Sequence, residues 1–149
     1  MGWTVIAWVR RRAQIAGDDE GSVLILILGY AVLALATILV CVDATSLYLA
    51  QKRLDSLADA AALAGADGFT LEIVDDGPIA RVSSSAVRDE ATALLSAAGT
   101  DAHLIAADAP DGSSARVTVG GTWHPPVFSL FVPDGVDLTA TATSRTALR

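Results

Sequence analysis

Cysteine and lysine are almost missing from this 149-residue chain, and aromatic side chains make up only 5% of it. Cys41 is the single cysteine, so no disulfide can close within the chain and no cysteine-based metal site can be assembled. It follows Ile38, Leu39 and Val40 in an apolar run, without the small residue that a lipoprotein signal places there, so an inert thiol is expected. Positive charge is scarce where a polyanion would need it. From Asp43 onward seven basic residues face fourteen acidic ones, and this part carries the whole net charge of −7. Such a surface repels phosphate backbones, which argues against a nucleic-acid partner.

The residue patterns of catalysis are also missing. Gly-x-Ser-x-Gly, His-Glu-x-x-His and a phosphate-cradling glycine loop ahead of a helix do not occur. His103 and His124 are the only histidines and stand twenty-one residues apart; Asp101 and Asp108 flank the first, but the spacing is not that of a metal-ligand set. Asp75-Asp76 and Asp89-Glu90 read as solvated turn and helix charges. No enzyme, cofactor or metal site is expected from these residues.

What the chain does have is a run from Ser22 to Val42, twenty-one residues without a charge. As a helix it is about 31 Å long, the thickness of a bilayer's hydrocarbon core. Leu24 to Leu28 are consecutive apolar residues, so no polar stripe exists for a water-facing side. A cleaved secretory signal has a shorter run with a small-x-small site directly behind it, whereas here Asp43-Ala44-Thr45-Ser46-Leu47-Tyr48 follows. The run therefore reads as an uncleaved anchor in membrane lipid. Arg10, Arg11 and Arg12 lie before it, which favours a cytoplasmic N-terminus and an extracytoplasmic C-terminal part. Trp3, Ile6, Trp8 and Val9 suit either a headgroup-level segment or a flexible leader. Asp18-Asp19-Glu20 would cap the helix ahead of its first turn, and Asp43 would meet water at the far boundary.

Beyond Asp43 neither Gly nor Pro appears before Gly65, and Leu47, Ala50, Leu54, Leu57, Ala61 and Ala64 recur at spacings of three and four. This is an amphipathic helix continuing from the membrane, with Gln51, Lys52, Asp55, Ser56 and Asp59 on its polar side. The six apolar residues form a candidate helix-packing interface.

The stretch DDEGSVLILILGYAVLALATILVCVDATSLYLAQKRLDSLADAAALAGA resembles the N-terminal region of TadE/TadG-like proteins of tight-adherence (Flp-type) pilus systems. Its most specific part is Ala58-Asp59-Ala60-Ala61-Ala62-Leu63-Ala64-Gly65-Ala66, at a set distance from the apolar run. The resemblance implies a pilin-like minor subunit or accessory factor of the bacterial cell envelope, with other pilus or secretion-system subunits as partners in an oligomeric assembly. Two departures limit it. No Glu stands five residues after Gly17 or Gly21, as prepilin-peptidase substrates require, and the Asp-x-Ser-x-Ser string of a von Willebrand A-type metal site is absent. A short, uncut form without that domain is expected.

In the remainder, Phe69–Val74 reads as a strand and Asp75-Asp76-Gly77-Pro78 as a turn. Ser83 to Ser85 cap a helix stopping near Gly99, and strands are expected over His103–Ala107, Ala115–Thr122 and Val136–Ala147. The fold class is α+β: a long N-terminal transmembrane and stalk helix, then a small antiparallel sheet with one helix. Residues 1–21 form a cytoplasmic segment, 22–42 the membrane helix, 43–66 its amphipathic continuation and 67–149 the extracytoplasmic domain. Between the last two strands, Trp123, Val127, Phe128, Leu130 and Phe131 either tuck into the core or form a contact patch for a neighbouring subunit or the outer leaflet. A membrane-anchored sensor with a ligand-binding head is the alternative function.

Overall fold

The computed structural model describes the backbone of residues 4–74 and 77–145 and the side chains of residues 21–73 and 79–145. The roles expected of the Trp3, Ile6, Trp8 and Val9 side chains, the Asp75-Asp76 turn and the end of the last strand at Ala147 fall outside those residues. The elements are α1 (Thr4–Asp67), β1 (Thr70–Val74), β2 (Gly77–Arg81), α2 (Ser84–Ala98), β3 (His103–Asp108), β4 (Ser114–Trp123) and β5 (Val136–Arg145). Because α1 begins at Thr4, Asp18-Asp19-Glu20 lie within it and do not cap a first turn. The chain divides into two compact units, Met1–Val42 and Asp43–Arg149.

In the first unit, residues 21–42 are helical throughout, and every side chain except the half-buried Leu39 is exposed. Thr37 satisfies its hydroxyl on the Leu33 carbonyl oxygen at 2.8 Å, which hides a polar group on its own helix. One helix in the described residues is long and apolar enough to cross a membrane, and its most apolar window has no buried residue. A core helix of a soluble protein would be covered; this one is not.

The second unit is an α+β domain. β3, β4 and β5 form one antiparallel sheet in that order, and β1 and β2 form a separate two-stranded hairpin. β4 and β5 pair without a break from Ser114↔Arg145 to Trp123↔Val136, while the β3–β4 register slips between Leu104 and Ala106. Alternation decides the faces. Ala115, Val117 and Val119 of β4 with Ala140 and Ala142 of β5 point into the core, and Thr118 and Thr141 meet on the wet side with hydroxyl oxygens 2.9 Å apart. α2 presents Val87, Ala91 and Leu95 to the core; its N-cap Ser83 accepts from the Ala86 N–H at 3.2 Å, and it ends at Gly99.

β2 begins at Gly77-Pro78, where a turn was expected. Proline is tolerated there because it opens a strand of a two-stranded hairpin, at whose edge a missing N–H breaks no interior ladder.

The C-terminal part of α1 supplies the other wall of the core through Leu54, Ala58, Ala61, Ala62 and Ala66. This face is rotated from the expected stripe. A three-four spacing follows a period of 3.5, but a straight helix turns every 3.6 residues, so the buried face drifts by about 20° per heptad. It has moved from Leu57 and Ala64 toward Ala58, Ala62 and Ala66, which stand four apart. These residues are small for a reason. A Cβ on Gly65 would lie 2.7 Å from Val87 Cγ1 and 3.4 Å from Ala115 Cβ, so backbone of α1 meets α2 and the sheet almost without side chains between them.

Candidate functional site

The connection from β4 to β5, residues 124–135, is fastened to α1 at the start of the second unit. Trp123, the last residue of β4, donates its indole N–H to Ser46 Oγ at 3.1 Å. Pro125 and Pro126 then stop the strand, since neither has an N–H to give a ladder. One residue later the Val127 N–H donates to Asp43 Oδ1 at 3.1 Å. The carbonyl oxygen of Phe128 accepts from the N–H groups of Phe131 at 2.9 Å and Val132 at 3.2 Å, which closes a tight turn. The Phe128 and Phe131 rings lie 6.2 Å apart at 59°, a tilted aromatic pair. Gly135 returns the chain to β5 with φ +73°; a Cβ there would also come within 2.8 Å of Trp123 O.

Asp43 is the unexpected member. It is 8% exposed rather than open to water, and its Oδ2 is buried with no hydrogen-bond partner among the described residues. A carboxylate there gives the turn's part-buried backbone N–H an acceptor. The sequence pattern signals a charge ending an apolar run. It could not signal the partner, which is 84 residues away; Ser46 and Trp123 are 77 apart.

The expected patch is brought together only in part. Trp123, Val127 and Phe128 are half-buried, whereas Leu130 is 91% and Phe131 81% exposed. The expected helix stripe faces inward only in part: Leu54 (5% exposed) and Ala61 are core, and Leu47, Ala50, Leu57 and Ala64 are half-buried. Exposed apolar side chains on this part of α1 are Tyr48, Leu49 and Leu63. A groove beside the stripe is lined by Ala50, Leu57, Trp123 and Leu138, with Arg53 and Asp101 as its charged members and His124 at its wall.

The polar side of α1 is locally satisfied. Gln51 donates to Asp55 Oδ1 at 3.0 Å and to the Thr139 carbonyl oxygen at 3.1 Å, tying the helix to β5. Lys52 Nζ lies 3.2 Å from Asp55 Oδ2 and 5.9 Å from the centre of the Tyr48 ring. The Gln51 amide, with Lys52 second, holds the Asp55 carboxyl below its ordinary range, and Asp55 in turn raises Lys52. In the β3–β4 loop, Asp111 accepts from the Ser114 hydroxyl and the backbone N–H groups of Ser113 and Ser114, which hold it well below the usual carboxylate range. Among the described residues no three His, Cys, Asp or Glu side chains cluster as a metal site.

Residues 21–68 match the Tad family model, described as "Putative Flp pilus-assembly TadE/G-like". No curated protein and no solved structure matches the chain. The matched segment starts where the apolar run begins and stops at Gly68, one residue past α1, so it takes in the uncovered helix, Asp43, Ser46 and the small-residue face. Over that segment the chain is similar to the TadE/G-like family of Flp pilus-assembly proteins.

Proposed function

We propose that this chain is a non-enzymatic, single-pass protein of the bacterial cell membrane that acts in Flp/Tad-type pilus assembly or secretion as a pilin-like minor subunit or accessory factor. The observation that carries the reading is the coincidence of the family segment with a helix whose apolar residues have no cover of their own. Lipid and the helices of other subunits are the natural cover, through van der Waals packing in the bilayer. Retention of the run is favoured by Asp43 and Ser46, which sit where a signal peptidase would cut yet are helical and hydrogen-bonded to the folded domain. The N-terminus is cytoplasmic and the acidic domain extracytoplasmic, as the Arg10–Arg12 cluster favours.

Partner contact falls to the half-buried members of the stripe, Leu47, Ala50, Leu57 and Ala64, together with the exposed Tyr48, Leu49 and Leu63 beside them. Photo-crosslinking residues at Leu33, Leu49 and Leu63 of the membrane-resident protein should capture subunits of the pilus machinery, and deletion of the gene should remove surface pili. Wild-type piliation in the deletion strain would reject the reading.

A further inference from the structure

We infer that the tip of the β4–β5 connection, Leu130 and Phe131, dips into the lipid headgroup boundary as a second membrane contact of the folded domain. The inference rests on the proposed reading of residues 22–42 as a membrane-spanning helix. Three observations carry it beyond that reading. Both fasteners of the connection lie at the very start of the second unit: Asp43 is the first charged residue after the run, and Ser46 is only about 4.5 Å further along a helix. The order of the fasteners gives a direction. Trp123 is held at Ser46 and Val127 at Asp43, so the chain runs toward the first residue of the second unit as it enters the turn that carries Leu130 and Phe131.

The chemistry of the tip suits lipid. From Val117 to Pro133 no charged residue occurs, within a part of the chain that has fourteen acidic residues, and the exposed large apolar side chains of the turn are a leucine and a phenylalanine. Apolar and aromatic residues partition into the interface, while Asp134, three residues past Phe131, and the acidic remainder of the domain favour the aqueous side. The Asp43 bond and the Phe128–Phe131 pair hold the turn closed, so little ordering is left to be done at the membrane.

The test uses the full-length chain in nanodiscs of phosphatidylcholine and phosphatidylglycerol. Cys41→Ala removes the native thiol, and single cysteines at Leu33, Ser113, Leu130 and Phe131 carry an environment-sensitive fluorophore. Expected at 130 and 131 are blue-shifted emission, quenching by headgroup-region nitroxide lipids and loss of quenching by aqueous iodide; position 113, exposed in the β3–β4 loop, should behave oppositely. Iodide quenching at 130 and 131 equal to that at 113, with 33 still in lipid, overturns the inference and leaves the spanning helix intact. Shielding from iodide without nitroxide quenching overturns it in favour of a protein cover. Iodide access at 33 removes the spanning helix and the inference with it.

Discussion

Asp43 does two incompatible things at once: one oxygen anchors the Val127 N–H, and the other is buried without a hydrogen bond among the described residues. Keeping it is costly, yet removing it orphans a part-buried donor. Asp43→Ala should therefore destabilise the folded domain by about 1–3 kcal/mol, while Asp43→Asn, which retains an acceptor of the same shape, should recover much of the loss. Chemical unfolding of the two variants in detergent, followed by proteolysis of the 124–135 connection, measures the difference. Asp111 is a second residue with a readable consequence. Its hydrogen bonds from Ser114 and Ser113 depress its carboxyl below the ordinary aspartate range, so its stabilising contribution is fully present above that range and is lost as pH falls through the lower folded value. Asp111→Asn should flatten the acid side of the stability profile below about pH 4 and leave its shape above pH 5 unchanged, as urea midpoints across that range would show.

At the scale of elements, α1 packs by being small. Leu54 is the one large residue on its buried face, and truncation there removes volume that alanine neighbours cannot refill. Leu54→Ala should cost about 2–5 kcal/mol. Leu63→Ala, on the exposed side of the same helix, should stay within about 0.5 kcal/mol, and thermal melts of the pair in one detergent make the comparison. A near-equal loss from both would mean that Leu63 is covered by a partner in the purified state. The connection between β4 and β5 has its own weak point at Gly135, where positive φ and contacts to Thr122 and Trp123 meet. Gly135→Ala should lower stability by about 1–3 kcal/mol and loosen the turn, detectable as faster cleavage between Val127 and Pro133.

For the whole molecule, attachment and folding are separable properties. The uncovered run accounts for membrane association, and each Asp placed near its centre costs about 2.5–3.5 kcal/mol of insertion free energy. The double variant Leu28→Asp with Leu33→Asp should shift the protein from the carbonate-washed membrane pellet to the soluble or degraded fraction. Leu130→Asp alone should leave it in the pellet, because the proposed spanning helix outweighs any contact made by the turn. Retention of the double variant in washed membranes would contradict a span at residues 22–42.

Periodicity made the long elements legible. The all-round apolar run, the serine cap before α2 and the alternation along Val136, Leu138, Ala140 and Ala142 each follow from the local geometry of a helix or a strand, and the α+β architecture was readable from them. The resemblance of the first helix to TadE/TadG-like proteins was legible too, because it resides in contiguous residues. β2 was hidden by a Gly-Pro pair whose usual meaning is a turn. The face of α1 was displaced because seven-residue spacing and helical pitch differ slightly and the difference accumulates. Asp43 and its partner were illegible for another reason: no local rule couples a residue to one 84 positions away. Apart from β2 and the start of α1, sequence alone thus determined which segments are helical, extended or lipid-compatible, since those properties depend on neighbours a few residues apart. Only the tertiary structure decided which side of the helix is spent on the protein's own core, which carboxylate is buried, and which apolar side chains remain uncovered, because burial is settled by packing between distant parts of the chain.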